Sequence, residues 1–137
     1  MTNKLFPLAA ALICAGLCIP YSKAFTEPVP FACNLNALTA DGRKQLHALI
    51  GRMSAAIVST TELKDGYALH IDAARLSFTE AAQWISLERK CCPFFDFQLD
   101  LPGGNGNYSV ALKGREGVKE FIRSDFASLS GKLSNTM

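Results

Sequence analysis

Between Ser77 and Pro93 the chain marks both ends of one helix, and that bracket constrains the fold more than any other stretch. Ser77, with Glu80 three residues on, has the spacing of a capping box, in which hydroxyl and carboxylate satisfy the free N–H groups of a first helical turn. Ala81, Trp84, Ile85 and Glu88 then recur at helical spacing up to Cys91 and Cys92. Pro93 ends the run, because the residue before a proline is pushed out of the helical region. The predicted helix therefore finishes on two adjacent cysteines, with Glu88 about one turn below both.

The flanking stretches repeat one theme. Upstream, Thr39 is a plausible N-cap with Asp41 in the positive first turn, and Leu46, Leu49, Ile50, Met53 and Ile57 mark one face of a helix. Residues 58–63, rich in β-branched types, and residues 67–71 then flank an Asp65-Gly66 turn, which predicts a hairpin. Downstream, Phe95, Phe97, Leu99 and Leu101 alternate with Phe94, Asp96, Gln98 and Asp100, the pattern of a half-buried strand. A Pro/Gly/Asn turn over 102–107 leads to its partner with Tyr108, Val110 and Leu112, and Val118, Phe121, Ile122, Phe126 and Leu129 stripe a last helix. The order α-ββ-α-ββ-α predicts an α+β two-layer sandwich, a mainly antiparallel sheet with helices stacked on one face. The first helix has no assigned place. With 49% apolar residues and nine Phe, residues 39–133 can bury one core, centred on Leu46, Trp84, Phe97, Val110 and Phe121. No repeat and no second domain is evident.

The amino terminus reads differently. Lys4 precedes an apolar run over 5–19, then Pro20 and the small residues Ser22 and Ala24, the layout of a secretory signal peptide cut after Ala24. The run is short for a membrane span, so an uncleaved anchor ranks second. Cys14 and Cys18 follow Ile13 and Leu17, where a lipoprotein signal needs a small residue. Residues 1–24 are thus a predicted leader, and 25–38, with Pro28 and Pro30, an extended lead-in. This places the protein in the periplasm or outside the cell, with no membrane contact after cleavage. Removing Lys4 and Lys23 from the 14 basic residues leaves as many bases as the 12 acids. Without a basic run there is no footprint for a phosphate backbone, which excludes nucleic acid as an expected partner.

Three cysteines remain after cleavage, Cys33, Cys91 and Cys92, in a compartment that favours disulfides. An odd number leaves one thiol unpaired or commits all three to a metal. Helical spacing sets the Glu88 carboxylate beside Cys91 and Cys92, on a stripe shared with Trp84. The bland alternative makes the cysteines small core residues and leaves Glu88 solvated or paired with Arg89 or Lys44.

The segment Glu88-Arg89-Lys90-Cys91-Cys92-Pro93-Phe94-Phe95-Asp96-Phe97 resembles a family of uncharacterised small bacterial domains built on Glu-x-x-Cys-Cys-Pro-Phe, free-standing or joined to mercury-resistance-type (MerR-like) regulators. Weaker matches at Cys33-Asn34-Leu35, at 63–68 and at 114–121 extend the likeness over nearly all of the chain beyond residue 24. The family members lack a leader and look cytosolic, so a regulatory role does not carry over directly. Thiols at these positions in a cytosolic relative imply something other than a structural disulfide. The resemblance thus points to a soft-metal site, three thiolates from Cys33, Cys91 and Cys92 with Glu88 completing a four-coordinate shell for zinc or copper(I). Mercury(II) is suggested by the regulator association alone.

Two features restrain this. Adjacent residues on a regular helix point about 100° apart, so Cys91 and Cys92 can share an ion only if the last turn unwinds. There is also no Cys-x-x-Cys spacing. An enzyme is the weaker expectation, because a helix C-terminus raises a thiol pKa where a nucleophile needs it lowered. His47 lies near the apolar face of the first helix, and His70 reaches a partner such as Asp96 or Asp100 only if strand order allows. No nucleophile elbow, phosphate loop or HExxH appears. The sequence therefore leaves three readings: a binder of a soft metal or small thiol-reactive ligand; a thiol-dependent redox protein using Cys91 or Cys92 with Glu88 as proton partner; and a structural domain with a Cys33 disulfide. All of those that use Cys33 require it to approach the end of the Cys91–Cys92 helix, and the stripe requires Glu88 to be buried.

Overall fold

The computed structural model describes residues 30–104 and 106–125. The predicted leader, the start of the lead-in and the Phe126 and Leu129 end of the last stripe lie outside them. The element order is a 3₁₀ turn Leu35–Ala37, then α1 (Ala40–Ala56), β1 (Ile57–Leu63), β2 (Gly66–Ile71), α2 (Phe78–Cys91), β3 (Asp96–Asp100), β4 (Tyr108–Lys113) and α3 (Val118–Asp125). This is the expected α-ββ-α-ββ-α order. The four strands make one antiparallel sheet in the order β1-β2-β4-β3.

Both long helices start where their caps predict. Thr39 Oγ1 accepts from the Gly42 N–H at 3.0 Å, and Ser77 and Glu80 form the complete capping box. The C-terminus of α1 differs from expectation. Ile57 leaves the helical stripe and opens β1 opposite Ile71, because it begins a β-branched run and stays buried in either role. The α1 end is tied to the sheet by the Asp72 N–H, which donates to the Ala56 carbonyl at 2.9 Å.

Alternation along the strands sends Tyr67, Leu69, Ile71, Tyr108, Val110 and Leu112 to the helix-covered face, where all are buried. Ala68, His70, Ser109 and Lys113 are half-buried or nearly so on the other face, and Asp96, Gln98 and Asp100 are exposed. The core joins this sheet face to Leu46, Leu49 and Met53 of α1, Ala81 and Trp84 of α2, and Val118 and Ile122 of α3. Trp84 stacks edge-on against Phe97 at 5.6 Å. The Tyr108 hydroxyl is shared between the Leu76 and Ser77 carbonyls at 3.0 and 3.1 Å, fastening β4 to the start of α2. An Arg52–Glu80 ion pair joins α1 to α2, and a Lys119–Glu62 pair joins α3 to β1. Phe94 does not share the solvent face with Asp96. The chain turns over Pro93–Phe95, so the alternation starts only at Asp96 and Phe94 packs against Phe31 and Phe121.

The first hairpin turns on Lys64 and Asp65, with Leu63 opposite Gly66. The expected Asp-Gly turn pair is therefore shifted by one residue, and Gly66 does not use a left-handed φ. Its role is steric. A Cβ there would sit 1.9 Å from the Leu112 carbonyl oxygen on the neighbouring strand. Gly66→Ala should cost about 3 kcal/mol, because the atom it strikes is backbone. Gly51→Ala, on the exposed side of α1 with nothing within 4 Å of the new methyl, should add roughly 0.5–1 kcal/mol. Urea midpoints of the two variants check this opposite pair of signs.

Candidate functional site

The end of α2 departs from regular helix where Pro93 requires it. Cys91 is the last helical residue; Cys92 caps the helix at φ −122°, ψ 67°, its N–H still donating to the Glu88 carbonyl at 2.7 Å. This local unwinding turns the two side chains toward each other, and their sulfurs lie 3.6 Å apart. Both are buried, Cys91 at 1% and Cys92 at 0% exposure.

Cys33 reaches this point from the lead-in. It forms a disulfide with Cys92 across a sequence separation of 59. The approach has a second support: the Asn34 N–H donates to the Cys91 carbonyl at 2.7 Å, satisfying a helix-end acceptor. Unlike its partner, Cys33 is exposed. The two expectations about geometry hold, since Cys33 meets the helix end and Glu88 is buried at 3% exposure.

The Glu88 carboxylate faces the sulfurs. Cys91 Sγ donates to Glu88 Oε2 at 3.5 Å and to its own helix's Glu88 carbonyl at 3.6 Å. One ligand atom each from Cys33, Glu88 and Cys92 fall within 4.8 Å of one another. Arg89, Lys90 and Lys44 are exposed, and no basic group pairs with Glu88 among the described residues. Burial therefore raises the Glu88 carboxyl above its ordinary value, opposed in smaller measure by the Cys91 thiol and the Trp84 indole. The indole N–H is buried and makes no hydrogen bond of normal geometry among the described residues.

Cys91 is shifted as well. Desolvation, then the nearby Glu88, push its thiol up to about 12. It stays protonated at neutral pH and is a poor nucleophile toward the disulfide beside it, so Cys91 does not serve as a ready attacking thiol.

The histidines form no part of this. Strand β4 lies between β2 and β3, so Ser109 stands between His70 and Asp100 in register. His70 Nε2 instead pairs with Thr61 Oγ1 at 2.8 Å, and His47 is exposed. Sequence reasoning missed the groups that hold Cys33 in place. Phe31 packs at 5.3 Å from Phe94 and 6.0 Å from Phe121, with the Arg115 guanidinium 4.0 Å over its ring. The one sequence signal was a phenylalanine two residues before the cysteine.

No family model, no curated protein and no solved structure matches this chain.

Two outcomes follow from the electrostatics. Because the folded Glu88 carboxyl binds its proton more tightly than the 4.5 of an unperturbed group, its favourable contribution is fully present below about pH 4.5. It is lost as pH rises through the folded value. Glu88→Gln should therefore melt above the native chain at pH 8 and lose that advantage as pH falls toward 4.5; a constant gap in melts across the range contradicts the buried, uncompensated carboxyl. Iodoacetamide should leave Cys91 of the folded protein unmodified over hours near neutral pH and label it only in denaturant, as peptide mass mapping would read.

Proposed function

We propose that this protein is a small exported binder of a soft metal ion, zinc, copper(I) or mercury(II), held by Cys33, Cys91, Cys92 and Glu88 when the Cys33–Cys92 bond is reduced. The observation that carries the reading is the spacing of donors at the end of α2. Metal–sulfur bonds of about 2.3 Å in a tetrahedral shell require sulfur–sulfur edges of roughly 3.8 Å and sulfur–carboxylate edges of roughly 3.6 Å. Cys91 Sγ lies 3.6 Å from Cys92 Sγ and 3.5 Å from Glu88 Oε2, close to two such edges. Cys33 supplies the fourth donor by retreating from bonding distance of Cys92 to one more edge length.

Chemistry of the donor set supports the same assignment. Glu88 is a buried carboxyl with no basic partner among the described residues, and a divalent or soft monovalent ion is a partner that would let it ionise without leaving the core. Thiolate donors select soft ions over calcium or magnesium. The leader-like residues 1–24 support export, and the likeness to the Glu-x-x-Cys-Cys-Pro-Phe domains is consistent with a site centred on these residues. A small thiol-reactive ligand would meet the same atoms, and mercury(II) belongs to both classes.

Native mass spectrometry tests the reading on the full chain carrying Cys14→Ser and Cys18→Ser. After reduction, each of zinc, copper(I) and mercury(II) is offered in turn. At least one should add a single ion per chain, the oxidised chain should add none, and Cys91→Ser with Cys92→Ser should abolish uptake while circular dichroism stays native. Equal uptake by the double variant, or none by the reduced chain for any of the three ions, overturns the proposal in favour of a purely structural disulfide.

A further inference from the structure

We infer that the Cys33–Cys92 disulfide is a thiol–disulfide exchange centre, opened at the Cys33 sulfur by a dithiol reductant while the domain stays folded. The inference deepens the metal reading and rests on it for purpose, since exchange is what releases the donors, but its chemistry needs no metal.

Access sets the direction of attack. An incoming thiolate must reach one sulfur of the bond, and exchange rates follow that access. Cys33 is exposed, whereas Cys92 has 0% exposure beneath the end of α2. Attack at Cys33 makes Cys92 the leaving group, the sulfur that the chain already shelters.

Anchoring keeps the domain whole when the bond opens. On one side of Cys33, Phe31 is held between Phe94 and Phe121 under the Arg115 guanidinium. Gly117 adopts φ +92°, and a Cβ there would come 2.9 Å from the Phe31 ring, so the contact is close on that side too. On the other side, the Asn34 N–H bonds the Cys91 carbonyl at 2.7 Å, Leu38 is buried at 6% exposure, and Arg43 Nη1 donates to the Leu38 carbonyl at 2.7 Å. None of these contacts involves the disulfide. Reduction therefore breaks one covalent bond without freeing the segment, and the Cys33 thiol stays beside Cys92.

The steps balance. A thiol R–SH, attacking as its thiolate, forms R–S–S–Cys33 as the Cys33–Cys92 bond breaks; Cys92 departs with the electron pair and takes up the proton the attacking thiol gave. A second thiol of the reductant attacks the R sulfur, forming the oxidised reductant and leaving Cys33 as a thiol. Two thiols are oxidised and one disulfide is reduced. Because Cys92 is held beside the mixed disulfide, it attacks Cys33 Sγ again and expels a monothiol before a second molecule arrives. A dithiol completes the second step within one molecule and escapes this return. The substrate class is thus a dithiol, small or carried on a protein.

The test uses the oxidised full chain carrying Cys14→Ser and Cys18→Ser, near neutral pH with a chelator present. Samples are treated with glutathione or dithiothreitol, acid-quenched, and mapped by fragment-ion mass spectrometry, with circular dichroism followed in parallel. Glutathione should appear on Cys33 and be absent from Cys91 and Cys92, at a low steady level. Dithiothreitol should reduce the bond completely with the dichroism unchanged and at a rate insensitive to low urea. Glutathione on Cys92, or reduction that proceeds only in step with unfolding, overturns the inference. Selective exchange at Cys33 together with no ion uptake removes the metal reading and keeps this one; ion uptake by chain reduced in denaturant and refolded, without exchange in the native state, does the reverse.

Discussion

The site and the sheet edge both depend on Pro93. Its ring disfavours helical geometry at residue 92, so α2 ends at Cys91 and Cys92 leaves the helical region at φ −122°, ψ 67°. Had the helix run on, the two thiols would diverge by about 100° and could not face each other across the helix end, although Cys92 would still lie one turn from Glu88. The same break frees the chain to turn over Pro93–Phe95 and enter β3. One steric clash between a proline ring and its neighbour therefore sets the sulfur geometry, exposes a carbonyl for Asn34, and starts the strand that completes the sheet.

Around that break a carboxyl is buried with no basic partner among the described residues. Glu88 sits among a disulfide, a high-pKa thiol and an unpaired indole N–H. A buried group of this kind holds its proton or waits for a cation. With the disulfide closed, burial favours the protonated form of Glu88, and the Cys91 thiol donates to its carboxyl at 3.5 Å. With the disulfide open, the same volume holds three sulfurs and a carboxylate. Metal binding at these donors would draw protons out of the site.

The aromatic group Phe31, Phe94 and Phe121, with Arg115 above it, anchors the segment that carries Cys33. It ties a segment with no regular hydrogen-bond ladder to the core through ring contacts that do not involve the disulfide. The 3₁₀ turn Leu35–Ala37 that follows buries none of its own residues, so without Phe31 and Leu38 on either side the cysteine would be held by its disulfide and one backbone hydrogen bond.

Local chemistry alone determined the elements: Thr39 and the Ser77–Glu80 box start their helices, Pro93 stops one, and alternation about Phe97, Leu99, Val110 and Leu112 writes two strands. Each of these signals acts within a few residues, so each is legible without the rest of the chain. The proximity of Glu88 to Cys91 and Cys92 was legible for the same reason, as helical spacing is local. What the sequence left open was decided by contacts between distant segments. Strand order put β4 between His70 and Asp100 and so removed a polar cleft that spacing allowed. Ile57 joined a strand because Ile71 lay opposite it, Gly66 was needed for the approach of Leu112 rather than for a turn, and Phe94 left the solvent face to meet Phe31. Above all, the choice of Cys92 over Cys91 as the partner of Cys33 is tertiary. The pair lies at a sequence separation of 59, and no local rule acts over that distance; only the packing of Phe31 and Leu38 on the finished core brings Cys33 to the one sulfur that the broken helix turns toward it.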